Sequence, residues 1–148
     1  MKSDLASRHN NNPLDALMGY HLRRAANAML DDLRKRIEPL GLTVTEMSVL
    51  QLVAATPQIC QSEIGQLLTI KRANMAPLIA KLETRGWIQR EAIDGRSQGL
   101  TLTVSGQAIL IDLKVCIAEN ERWILRNAPH QDPAALITTL KSIWATKA

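Results

Sequence analysis

The chain has 148 residues, 46% of them hydrophobic and 22% charged, with a formal net charge of +4. This is the composition of a globular domain long enough to bury a core, and the positive charge admits an anionic partner without identifying one. No signal-peptide segment opens the chain and no apolar run approaches a membrane span, so a soluble, cytoplasmic protein with no membrane role is expected. Aromatic residues are few (Tyr20, Trp87, Trp123 and Trp144, with no Phe), so the core should be aliphatic and built from packed helices.

Residues 1–11 read as a flexible polar arm. Asn12 followed by Pro13 is a helix start: a capping residue, then proline at the first helical position. One long helix is expected from there to about residue 39, with Leu14, Leu17, Met18, Leu22, Ala25, Met29, Leu33 and Ile37 in its apolar stripe. Thr43 and Glu46 form a capping box that opens a helix over 44–55. Cys60 and Glu63 repeat that spacing before a short helix ending at Leu68.

After a tight turn, residues 71–85 read as another helix, which together with the preceding one makes a helix-turn-helix. Met75, Leu78, Ile79 and Leu82 form its buried face. Lys71 and Arg72 place cations where the helix dipole favours acids. Pro77 removes a backbone donor, so a bend or a weakened first turn is expected, which could re-aim residues 71–74. Residues 87–93 favour a strand, 94–99 carry turn chemistry, and 100–103 read as the return strand. Thr103 can cap a helix over about 104–127, and Asp132-Pro133 starts a last helix bearing Leu136, Ile137, Leu140, Ile143 and Trp144.

The expected fold is mainly α with a small β-hairpin wing. A winged helix-turn-helix over 41–103 is flanked by helical dimerisation regions at 12–40 and 104–148. The flanking helices carry more apolar surface than so small a module needs, which implies a homodimer. Leu14, Leu17, Trp123, Leu136, Leu140 and Trp144 are the candidate interface residues. A dimer presents two reading helices to a (pseudo)palindromic duplex.

In the segment from Asp94 through Arg96, Leu100, Leu102 and Thr103 to Gly106, and in the order and spacing of three earlier segments, the chain resembles the MarR family of transcriptional regulators. The first of these is similar to the family's wing signature. Leu42 to Leu50, Gln61 to Ile64 and Leu82 to Gly86 also fall where the family has such patterns.

The resemblance implies that the helix at 72–86 enters a major groove and that Arg96 reaches a minor groove. The implied DNA-facing residues are Gln61, Ser62, Lys71, Arg72, Ala73, Asn74, Met75, Lys81, Asp94, Arg96, Ser97 and Gln98. Asn74 is the expected base reader, because its amide can pair with adenine through two hydrogen bonds. Asp94 should hold Arg96 or shape the turn, and Gln61 and Ser62 can donate to phosphate. Lys81, Arg85 and Arg90 read mainly as surface charges. The resemblance also implies a crevice for a small aromatic or phenolic acid, with Met18, Tyr20, His21, Arg24 and Met47 as candidate lining. A structural role for His21 and Arg24 at a dimer interface is the competing reading.

No glycine-rich phosphate loop, metal-ligand cluster or convincing nucleophile–base pair occurs, so neither an enzyme nor a cofactor is expected. His9 lies in the arm and His130 in a loop. The leading expectation is a dimeric, sequence-specific regulator, a repressor released by its effector. The alternatives are an oxidant sensor acting through Cys60 and a winged-helix interaction module without DNA binding. Cys116, among Ile109, Leu113 and Ile117, should be buried packing.

Overall fold

A computed structural model describes residues 12–145. The expected arm over 1–11, with His9, and the final residues 146–148 lie outside the described residues. The helices are α1 (Met18–Ile37), α2 (Val44–Ala55), α3 (Gln61–Leu67), α4 (Arg72–Thr84), α5 (Val104–Asn127) and α6 (Pro133–Trp144). A hairpin of β1 (Ile88–Ala92) and β2 (Gln98–Leu102) stands between α4 and α5.

The helix starts follow local chemistry. Thr43 Oγ1 accepts the Glu46 N–H at 3.2 Å, and Glu46 Oε2 accepts the Thr43 N–H at 2.8 Å. Glu63 Oε2 accepts the Cys60 N–H at 2.7 Å. Asp132 caps α6 through the Ala135 N–H at 2.8 Å, and Thr103 caps α5 through the Gly106 N–H at 3.0 Å. These bonds satisfy donors that a helix N-terminus otherwise leaves open.

The first helix departs from expectation. Pro13–Ala16 form a short 3-10 turn, and Leu17 is extended at φ −99°, so α1 begins only at Met18. Asn12 bonds the Leu14 N–H and the Asp15 carboxylate, and His21 Nε2–H donates to the Asp15 carbonyl at 2.8 Å. These local bonds compete with a continuous helix, and Gly19 adds little helical propensity against them.

The weakened first turn expected from Pro77 is not seen. α4 is one helix through Pro77, and its first turn closes with the Met75 N–H on the Lys71 carbonyl at 3.2 Å. Pro77 and Ala73 are both exposed, so the Ala73 carbonyl that loses its helical donor lies on the solvent side. At its other end α4 closes in a Schellman motif. Gly86 takes φ +71°, its N–H bonds the Glu83 carbonyl, and the Trp87 N–H reaches the Leu82 carbonyl. Trp87 therefore ends a helix, and the strand starts one residue later than expected.

In the hairpin, Ile88 pairs with Leu102 and Ala92 with Gln98. A third segment, not expected from the sequence, supports its base: Ile59 bridges Leu100 antiparallel. Gly99 allows that approach, because a Cβ there would overlap the backbone of Gln58. The core lies inside the winged module, around Val49, Leu50, Ile64, Met75, Ile79, Leu82 and Leu100, and extends to Ile37 on α1 and Leu113 on α5.

A polar network fixes α1 on α5. Buried Asn120 donates to the Met29 carbonyl at 3.2 Å and to Asp32 Oδ2 at 2.8 Å. Arg36 holds Asp32 through two nitrogens and Glu119 through a third. The Arg36 hydrogen bond holds the Asp32 carboxyl below its ordinary range. Cys116 is half-buried in this junction, with its thiol on the Arg36 carbonyl.

Candidate nucleic-acid interface

Burial of Met75, Ile79 and Leu82 sets the rotation of α4. It leaves Lys71, Arg72, Ala73 and Asn74 exposed at the helix tip. The wing curls toward that tip. Asp94 Oδ1 accepts the Arg96 N–H at 2.9 Å and the Ser97 N–H at 2.8 Å, which closes the turn. Those bonds hold the Asp94 carboxyl below its ordinary range. Of its two expected roles, Asp94 thus shapes the turn.

An open cleft of about 1270 Å³ separates the wing from α3 and the α4 tip. Gln61, Ser62, Lys71, Arg72, Arg90, Asp94, Arg96, Ser97 and Gln98 line it. Lys71, Arg72 and Arg96 are exposed and form no ion pair among the described residues. Unpaired cations facing a concave surface suit a polyanion, because no internal partner has to be given up.

Of the expected contact residues, Met75 is buried and Lys81 is ion-paired. Met75 is 1% exposed and packs beneath Gly65, where its side chain serves the helix-turn-helix core and not the reading face. Its place in the apolar stripe of α4 decides this. Lys81 stays at the surface, with 56% of its side chain exposed, but its ammonium is engaged: Nζ lies 2.6 Å from Oε1 of Glu46, a residue only 1% exposed. Burial pushes the Glu46 carboxyl up, but hydrogen bonds from Lys81 and Thr43 outweigh it and hold the group below its ordinary range.

The other two surface cations are also engaged. Arg85 donates to the Gly41 carbonyl at 2.6 Å and lies over the Trp87 ring at 3.8 Å. Arg90 donates to Glu83 at 3.0 Å and to Gln61 Oε1 at 3.4 Å, bridging β1, α4 and α3. With its oxygen so occupied, Gln61 keeps its amide NH₂ to donate into the cleft. Nothing in the local sequence around Arg90 marks this role, since its partners lie 7 and 29 residues away.

The candidate effector residues divide. Met18 is 84% exposed, and Tyr20, His21 and Arg24 lie beside it on the first turns of α1. Tyr20 and His21 meet edge to face, and Arg24 lies 5.6 Å from the Tyr20 ring centroid. Met47 is instead buried in the module core.

Of the candidate interface residues, Leu14, Leu17, Leu140 and Trp144 are exposed, and Trp123 and Leu136 are half-buried. The Cys60 thiol is pushed up by burial and by Glu63 beside it, the opposite of what a reactive thiolate needs. No helix among the described residues is long and apolar enough to cross a membrane.

Known proteins share this arrangement. The sequence model of the MarR family matches residues 42–97, from the start of α2 to the wing tip. The HTH-type transcriptional repressor Rv2887 of Mycobacterium tuberculosis is 31% identical over 97 residues, which cover 64% of this chain and 70% of that protein. The transcriptional repressor CouR bound to a 23-mer DNA duplex superposes with a TM-score of 0.80 at 34% identity, over 88% of this chain and 94% of CouR. CouR bound to p-coumaroyl-CoA gives 0.79 at 33% identity, over 90% and 95% of the two chains. This chain belongs to the MarR family and is a winged-helix, DNA-binding transcriptional regulator.

Proposed function

We propose that the protein is a cytoplasmic, homodimeric repressor that acts by binding and not by catalysis. It reads a (pseudo)palindromic double-stranded operator and leaves it on binding a small aromatic acid, free or as a thioester. The observation that carries this reading is the cleft between wing and α4 tip, with Lys71, Arg72 and Arg96 exposed along it. Asn74 and Ala73 face base edges in the major groove. Lys71 and Arg72 take phosphates, and Gln61 and Ser62 donate to the backbone from α3. Arg96, presented by the Asp94 turn with Ser97 and Gln98, enters the minor groove.

Segments 12–40 and 104–145 pair with those of a second copy, and residues 41–103 read DNA. The effector site uses the exposed first turns of α1, where Arg24 or His21 can pair with a carboxylate and Met18 and Tyr20 flank an aromatic ring. CouR supports the ligand class, having been captured with p-coumaroyl-CoA. The effector acts only if it binds the DNA-free arrangement more tightly than the bound one.

The test is fluorescence anisotropy with the duplex upstream of the protein's own gene, across a salt series. Tight, sequence-selective binding with a log-linear salt dependence is expected. Arg96→Ala should weaken it and lower the slope by about one. Sequence-blind binding that Arg96→Ala leaves unchanged would overturn the wing assignment. Titrating p-coumarate, salicylate and p-coumaroyl-CoA into the complex tests release, and a complex indifferent to all three would remove the effector class.

A further inference from the structure

The cations at the C-terminal end of α4 are engaged within the fold, unlike those at its tip. Lys81 and Arg85 are four residues apart and share one face of the chain as α4 ends. Lys81 Nζ meets Glu46 Oε1 at 2.6 Å, and Arg85 Nη1 meets the Gly41 carbonyl at 2.6 Å. Gly41 and Glu46 bracket the corner that joins α1 to α2. Both contacts therefore tie the second half of the reading helix to one short segment, 41–46.

Lys81 keeps 56% of its side chain in solvent, but its ammonium is the counter-charge of Glu46. The Glu46 carboxylate is buried, with Oε2 accepting the Thr43 N–H at 2.8 Å and Oε1 taken by Lys81. Moving the ammonium to a phosphate would strand a buried carboxylate without a counter-charge, which is costly. Arg85 is held from a second side by the Trp87 ring. The corner that receives both cations is the start of α2, and Met47 in the core is the next residue.

We infer that Lys81 and Arg85 are positioning residues that aim α4 into the groove by clamping it to the 41–46 corner, and that Lys81 is not a phosphate contact. This rests on the DNA-reading function proposed above. A shift of α1 against α2 then either carries α4 with it or breaks the clamp, which gives the dimerisation helices a mechanical route to the reading helix.

The test compares wild type with Lys81→Met, Lys81→Arg, Glu46→Gln and the Lys81→Met/Glu46→Gln double variant, with Arg96→Ala as the contact control. Operator affinity is measured across a salt series, below every melting transition. Lys81→Met should weaken binding about tenfold at each salt concentration with the slope unchanged. Lys81→Arg should restore most of the loss. The double variant should bind no worse than Lys81→Met, because the two residues act as one unit.

A slope lowered by about one in Lys81→Met, with Glu46→Gln at wild-type affinity, overturns the proposal and makes Lys81 a phosphate contact. Unchanged affinity with a lowered melting temperature also overturns it, leaving a contact that serves stability alone. Amide hydrogen exchange on the free protein supplies an independent arm. Lys81→Met should raise exchange in 41–46 and 72–84 together and spare the wing. Wild-type protein that selects no DNA sequence defeats the proposed function, whereas unchanged exchange at 41–46 defeats the clamp.

Discussion

In the winged module Val49, Leu50, Ile64, Ile79 and Leu82 have no exposed surface, whereas Leu14, Leu17, Met18, Leu140 and Trp144 at the two ends of the described chain are 40–84% exposed. The two regions have similar side chains and opposite fates. The module closes on itself because three short helices and a hairpin surround one volume. The ends are single layers: α6 and the Pro13–Ala16 turn bury no residue, and α1 buries only Leu33 and Ile37, in its second half. Apolar surface left in water forgoes about 25 cal/mol per Å², which the second copy of the proposed dimer would recover. The reading unit is complete in one protomer, and its placement on a two-fold operator depends on the other.

The largest way to break this contrast is where α5 packs against the module. Gly106 sits where a Cβ would overlap the Trp87 carbonyl oxygen. Gly106→Ala should therefore cost about 3 kcal/mol or more, read as a lowered urea midpoint, because backbone on both sides must shift. Paired leucine truncations sharpen the comparison. Leu113→Ala, at 0% exposure, should cost about 2–5 kcal/mol. Leu140→Ala, with Leu140 at 40% exposure, should act mainly on the monomer–dimer equilibrium. Sedimentation would then show dissociation at low concentration, and the melting temperature would depend on protein concentration.

Acid should strike the module through Glu46. Its folded pKa lies below its ordinary value of 4.5, so its contribution is fully present above that pH. The contribution is lost as pH falls below 4.5 through the folded value, because the unfolded chain then binds the proton more readily. Melting temperature should drop over that range, and Glu46→Gln should flatten the drop. The smallest effect is expected at Cys60. Its raised thiol pKa predicts that Cys60→Ser leaves operator affinity unchanged and that peroxide does not release wild-type DNA complexes.

Much of the fold was legible because its signals are local. The Thr43/Glu46 box, the Glu63 cap, Asp132-Pro133 and the Asp94 turn each operate within four residues, and each appears where the sequence places it. The misses are also physical. Leu17 is extended because the Asn12, Asp15 and His21 side chains redirect the first turn, a competition that an apolar stripe does not register. The strand-like pairing of Ile59 depends on Leu100, 41 residues away, and on a glycine at 99.

The candidate interface divides along the same line. The family resemblance pointed to Lys71, Arg72, Asn74 and Arg96, and all four are exposed, because they stand on a helix tip and a hairpin turn. The direction of every other cation was decided by tertiary partners. Lys81 faces Glu46, Arg85 faces Gly41 and Trp87, and Arg90 joins Glu83 to Gln61. The sequence by itself determined where helices begin, which stripe of each is apolar and where a wing turns, since these follow from bonds between near neighbours. Only the tertiary structure decided which of these charges stay unpaired among the described residues and which are engaged, because a long side chain takes its direction from whatever opposite charge or carbonyl the fold brings within reach.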